Sequence, residues 1–205
     1  VRLVLFGPPG SGKGTQAGRI CARFGLTHLS TGNILREEIG RCTPLGLKVE
    51  GIVKSGALVD DSTVNAVVFG RLGEVDGFLL DGYPRNTSQA VSLDGFLGSG
   101  RPLTCAVMLR VEDSEVVDRL AGRASCGSCG FTGRAGSGSA CPSCGGALSR
   151  RPDDDPGVIC RRLEEYRRST APLEAYYGSR MCAVDGTGTV DEVWSRIEEV
   201  LTGWE

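Results

Sequence analysis

Lysine is nearly missing from this chain: of 23 basic residues, all but Lys13, Lys48 and Lys54 are arginines. Codon preference explains such a bias by itself, so an arginine carries meaning only where its position does. A charge excess of either sign is missing too. The formal net charge is -2, which excludes the broad basic field that would draw nucleic acid or an anionic membrane surface. Long apolar runs are also lacking. The first, residues 1–6, is too short for a signal sequence or a membrane span and leads directly into a glycine-rich loop. The chain therefore reads as cytoplasmic and monomeric, with neither nucleic acid nor membrane as partner. No repeat appears at solenoid periods. Histidine occurs once, at His28, too close to the following Ser-Thr-Gly string to suggest more than a local structural role.

What is present fits one core with insertions. At 205 residues, with 40% hydrophobic and 23% charged residues, the composition is that of an ordinary globular protein. Four short apolar runs (residues 1–6, 77–81, 103–111 and 181–184) read as buried strands. Helical spacing covers 15–24, 61–72, 87–97, 113–121, 156–177 and 190–201, with Trp194 and Trp204 in or beside the last as packing residues. Buried strands alternating with helices predict a doubly wound α/β fold, a parallel sheet with helices on both faces. Residues 30–59 are helical in pattern without a strand and predict a helical excursion. Residues 122–155 are rich in Gly, Ser and Cys and cannot bury an apolar core, so they require a staple. That leaves 1–29, 60–121 and 156–205 as the core.

The sharpest chemical signal is Gly7-Pro8-Pro9-Gly10-Ser11-Gly12-Lys13-Gly14-Thr15, set between a strand and a helix. Glycines let backbone N–H groups converge on phosphate oxygens, the helix amino terminus adds positive potential, and Lys13 reaches the outer phosphates. The general pattern places Ser or Thr directly after the lysine; here Gly14 intervenes. Asp81 ends a buried strand at its carboxyl side, where open α/β sheets place ligands, and can hold Mg²⁺ through water. The alternative is that it simply caps a turn with Gly82. Arginines recur at Arg36, Arg85, Arg119, Arg123, Arg151 and Arg162. Each alone reads as a solvated surface residue, but together with a phosphate loop they suit phosphoryl transfer, which needs alignment and charge neutralisation above all.

GPPGSGKGTQ, STGNILR, DGYPRNTSQ, VDRLAGR, RPDD, RRLEEY and VDGTG, in this order, resemble the adenylate kinases from one end of the chain to the other. The resemblance implies reversible transfer of the terminal phosphoryl group of MgATP to AMP, giving two ADP. It implies that residues 30–59 bind the monophosphate and that 122–155 form a lid over ATP. Thr31, Arg36, Leu58, Val59, Gly82, Arg85 and Gln89 would bind AMP, with Arg151 and Arg162 at the transferred group. Gly10, Ser11, Gly12, Lys13, Gly14, Thr15, Arg119, Arg123 and Gly186 would bind ATP. Thr31 and Gln89 resemble the pattern selective for AMP; UMP, CMP or another monophosphate is the alternative acceptor. Asn33 replaces the acidic residue common at that place, leaving open what its neighbouring arginine pairs with.

Cysteine is the one abundant reactive residue, with nine in the chain. Cys126-Gly-Ser-Cys129-Gly and Cys141-Pro-Ser-Cys144-Gly are matching knuckles, each able to turn two thiolates toward one metal. Together they supply a closed tetrahedral shell, predicting a structural Zn²⁺, with iron or cobalt as other occupants of the same thiolates. A redox dithiol or unliganded thiols are the competing readings. Cys21, Cys42, Cys105, Cys160 and Cys182 have no mutual spacing of note and read as small buried hydrophobes. A zinc-ribbon nucleic-acid binder and a redox-regulated ATPase are the rival classes, the first disfavoured by the acidic balance.

Overall fold

The computed structural model describes residues 1–134 and 140–203. Its centre is a five-stranded, wholly parallel sheet in the order β2-β3-β1-β4-β8. The strands are β1 (Arg2–Phe6), β2 (Thr27–Ser30), β3 (Phe78–Asp81), β4 (Cys105–Arg110) and β8 (Met181–Asp185). Leu3, Val4, Leu5, Phe78, Leu79, Leu80 and Val107 are sealed from solvent on alternating faces. Helices cover both faces, which is why these strands read as continuous apolar runs. On one face Ala17 and Ile20 of α1 (Lys13–Phe24) and Val193, Ile197 and Leu201 of α9 (Val190–Thr202) pack against Leu3, Leu5 and Val107. On the other, Val64, Val68 and Leu72 of α4 (Asp61–Leu72) and Ala90, Leu93 and Leu97 of α5 (Thr87–Leu97) pack against Val4, Phe6 and Leu80. The doubly wound expectation therefore holds.

The structure corrects the sequence reading at three places. Strand β2 carries only one aliphatic residue, Leu29, so it gave no periodic signal, yet it is the edge strand beside β3. The helix expected over 156–177 is not continuous. It divides into α7 (Pro156–Glu165), a widened π-helical turn (Tyr166–Thr170) and α8 (Leu173–Tyr177). Finally, Cys42 and Cys160 are exposed rather than buried, whereas Cys105 is buried as expected. Trp194 packs against the α1–α9 side of the core. Trp204 lies outside the described residues.

Two excursions leave the sheet on the side of its carboxyl ends. The first is the pair α2 (Thr31–Gly40) and α3 (Pro44–Ser55). Thr43 caps α3 by accepting from Gly46 N–H, and Pro44 supplies a preset first turn. Gly46 is required there: a Cβ would stand 2.1 Å from the Glu38 carbonyl oxygen of α2. The second follows α6 (Asp113–Ala121) and is a small antiparallel sheet, β6-β5-β7, of β5 (Arg123–Cys126), β6 (Thr132–Arg134) and β7 (Leu148–Ser149). Its buried residues are few and small, chiefly Ala124, Cys126 and Cys141.

Candidate active site

A cavity of about 950 Å³ opens over the carboxyl ends of the strands, the place where the open parallel sheet leaves a crevice. Its floor is the loop between β1 and α1. Gly7, Gly10 and Gly12 all take positive φ, with values of 147°, 80° and 91°. At Gly7 a Cβ would stand 2.8 Å from the Leu109 carbonyl oxygen, and at Gly10 2.8 Å from Leu120 Cγ, so no other residue fits either position. Lys13 Nζ folds back and donates to the Gly7 and Pro8 carbonyls at 2.8 Å each. Burial lowers its pKa to about 8; Asp81 opposes the shift, while Arg85, Arg162 and Arg123 add to it.

Asp81 ends β3 facing this loop, its Oδ2 4.0 Å from where a Cβ on Gly14 would stand. Burial alone would raise its pKa. His28, Lys13 and Arg85 outweigh that and hold the carboxyl below its usual range. His28 Nε2 lies 3.6 Å from Asp81 Oδ2 and its ring lines the cavity. No sequence pattern linked His28 to anything beyond the adjacent Ser-Thr-Gly string, because the pairing of β2 with β3 that brings it to Asp81 was not legible.

The arginines converge as well. Arg36, Arg85, Arg119, Arg123, Arg151 and Arg162 all line the cavity, although they come from α2, the β3–α5 turn, α6, β5, the start of the 152–154 turn and α7. Arg119 Nη2 donates to the Gly186 carbonyl at 2.9 Å, tying α6 to the segment after β8. Asp154, fully buried, accepts from Arg123 Nε at 2.7 Å and pairs with Arg162. Arg162 Nη1 also meets Asp153 Oδ2 at 2.8 Å. Arg151 reaches into the small sheet, donating to Ser125 Oγ at 2.7 Å and Thr132 Oγ1 at 2.8 Å. Arg36 Nη2 donates to Asn33 Oδ1 at 2.7 Å, so the neutral amide keeps the pairing that the sequence left open.

Arg85 follows the cis peptide Tyr83–Pro84, donates through Nε to the Gly82 carbonyl at 2.9 Å, and has its own carbonyl held by Thr170 Oγ1 at 2.8 Å. Burial and then Arg162 lower its pKa to about 10, and burial followed by Arg36 and Arg123 does the same for Arg151. These shifts describe a crowd of buried cations with too few carboxylates. An anion entering the cavity relieves it.

Beside Arg85 a narrower crevice of about 60 Å³ is lined by Thr31, Leu58, Val59, Val64, Gly82 and Gln89. Gln89 is buried and its side chain is already engaged, accepting from Arg85 N–H and donating to Asp61. Asp61 is the first residue of α4, beside Asp60, which caps that helix by accepting from Thr63 N–H.

In the small sheet, the Sγ atoms of Cys126, Cys129, Cys141 and Cys144 all lie within 4.8 Å of one another. Cys126–Cys144 and Cys129–Cys141 are 3.5 Å apart. Sulfurs bound tetrahedrally at a zinc–sulfur distance of ~2.3 Å stand ~3.8 Å apart, so the donor set fits a metal. N–H groups of Cys129 and Ser128 draw Cys126 down to about 6. The Phe131 N–H favours a Cys129 thiolate too, but the neighbouring sulfurs push that group up to about 12. Four such sulfurs do not ionise together without a cation.

A phosphate loop, a carboxylate at the end of the adjacent strand and a ring of arginines define a P-loop enzyme of phosphoryl transfer. The adenylate kinase family model matches residues 5–182. The adenylate kinase of Pelobacter propionicus is 41% identical, covering 99% of this chain and 97% of its own. That of Salinispora tropica is 42% identical over 100% and 99%, and that of Pyrococcus horikoshii 38% over 98% and 96%. The chain belongs to the adenylate kinase family, enzymes of reversible ATP:AMP phosphoryl transfer.

Proposed function

We propose that this protein moves the terminal phosphoryl group of MgATP to AMP in one in-line step, giving two ADP, and that the residues of the main cavity divide this work. The observation that carries the reading is the convergence of Lys13 and six arginines, from seven separate places in the chain, on one cavity. Lys13 and the amides of Gly10, Ser11, Gly12, Gly14 and Thr15 hold the ATP phosphates, with the base beside Arg119 and Gly186. Arg36 and Arg85 hold the AMP phosphate, with Thr31, Leu58, Val59, Gly82 and Gln89 around its base. Arg119, Arg123, Arg151 and Arg162 surround the moving group. Mg²⁺ arrives with ATP and supplies charge neutralisation, with Asp81 as the nearby carboxylate. No general base is needed, because the accepting phosphate is already anionic near neutral pH.

In this reading α2 and α3, within 30–59, form the monophosphate-binding subdomain, and 122–155 form a lid stapled by structural Zn²⁺ on Cys126, Cys129, Cys141 and Cys144. Arg123 and Arg151 ride on that lid, so its closure gathers them and excludes water. The reading also includes a cytosolic monomer. Its exposed larger apolar side chains, among the described residues, are spread over Val1, Leu47, Val91, Phe96, Val117 and Val190. No helix of the described residues is long and apolar enough to cross a membrane.

Steady-state kinetics of Arg85→Ala test the assignment. The expected result is a rise in KM for AMP with a fall in kcat/KM of roughly a hundredfold or more, the scale of losing a charged donor to phosphate in a dry site. Unchanged AMP kinetics would remove Arg85 from the site.

A further inference from the structure

The AMP-side glutamine is held in one orientation by two partners that cannot exchange roles. The Arg85 backbone N–H can only donate, and it meets Gln89 Oε1 at 2.8 Å. The Asp61 carboxylate, when ionised, can only accept, and its Oδ1 meets Gln89 Nε2 at 2.8 Å. Rotating the amide by half a turn would set N–H against N–H at Arg85 and oxygen against a carboxylate at Asp61. Asp61 is itself held: the same Oδ1 accepts from Asn86 Nδ2 at 2.9 Å, while Asn86 Oδ1 caps α5 by accepting from Gln89 N–H, also at 2.9 Å. Gln89 is only 1% exposed, so water does not offer its amide an alternative partner.

We infer that Asp61 is a positioning residue for acceptor selectivity: its carboxylate fixes the donor–acceptor order that Gln89 presents to the base. Each end of the amide has one capacity left, a lone pair on Oε1 and an N–H on Nε2. In that fixed order the pair matches the 6-amino group and N1 of adenine. Hypoxanthine has the same size with donor and acceptor exchanged at these atoms, so it matches only the rotated amide. Asp61 thus disfavours IMP while never touching the nucleotide. This rests on the reading of Gln89 as the base contact, and the experiment separates the two.

The experiment measures kcat and KM with AMP and with IMP as acceptor for the unaltered protein, Asp61→Asn and Gln89→Ala, beside the melting temperature of each. Asn at 61 keeps the shape but offers a donor, so the rotated amide loses one of its two penalties. For Asp61→Asn the account predicts that the AMP-over-IMP ratio of kcat/KM falls roughly tenfold, carried by a higher KM for AMP and a gain with IMP. Gln89→Ala should lose the ratio as well. If Gln89→Ala loses it and Asp61→Asn does not, Asp61 does no positioning and the proposal fails while the base contact stands. If neither variant changes the ratio, Gln89 does not read the base and both ideas fail. Equal losses with AMP and IMP, accompanied by a lower melting temperature, would make Asp61 merely structural and overturn the proposal.

Discussion

Lys13 shows how much of this site is electrostatic crowding. Burial, with the nearby arginines adding to it, lowers the pKa of its ammonium to about 8, and the group spends three hydrogen bonds on its own loop. Between about 8 and its ordinary 10.5, the folded chain therefore binds fewer protons here than the unfolded chain, and Lys13's contribution to stability rises with pH across that window. Bound ATP phosphates reverse the balance by favouring the charged ammonium. ATP binding near pH 8.5 should then take up protons. Titration calorimetry in buffers of different ionisation enthalpy checks this; a heat independent of buffer would contradict it. At this scale the phosphate-loop residues were legible because a glycine-rich string between strand and helix has one dominant use. Asp61 was not, since two adjacent aspartates before a helix look like ordinary caps, and only the fold brings α5 against α4 so that Gln89 and Asn86 reach one of them.

Elements were legible to the degree that they bury aliphatic surface. The runs Arg2–Phe6, Phe78–Asp81 and Cys105–Arg110 announce themselves because both of their faces are covered. Strand Thr27–Ser30 does not: it lies at the sheet edge, and Thr, His and Ser carry no apolar period. The π-helical turn Tyr166–Thr170 was equally invisible, since widening a helix by one residue shifts the register without changing its composition. That turn brings Thr170 Oγ1 to the Arg85 carbonyl and Tyr166 Oη to Met108 Sδ, at 2.8 and 3.2 Å. The small sheet holds little apolar surface, and the proposed reading makes its order depend on a metal held by the cysteine cluster. Metal analysis of the purified protein should find one zinc per chain, and Cys144→Ser should lose it together with protection of the small sheet from proteolysis. A metal-bound site contributes about 10–16 kcal/mol of apparent binding free energy, so an intact sheet in the metal-free variant would contradict the staple. Iron in place of zinc would correct only the metal.

For the whole molecule, the doubly wound sheet explains why residues so scattered in sequence meet. Parallel strands all end on one side, and the connections that leave there carry Lys13, Asp81, Arg85 and Gly186 to the same cavity. The two excursions bring Arg36, Arg123 and Arg151 to that side, and Arg119 and Arg162 reach it from α6 and α7. Bringing donor and acceptor together in a dry cavity is what separates transfer from wasteful hydrolysis. The most direct measurement is ADP formation from MgATP with AMP, beside UMP, CMP, GMP and no acceptor. The account predicts strong turnover with AMP, much weaker turnover with the other monophosphates and negligible hydrolysis alone. Equal use of a pyrimidine monophosphate, or hydrolysis that proceeds without any acceptor, would contradict it.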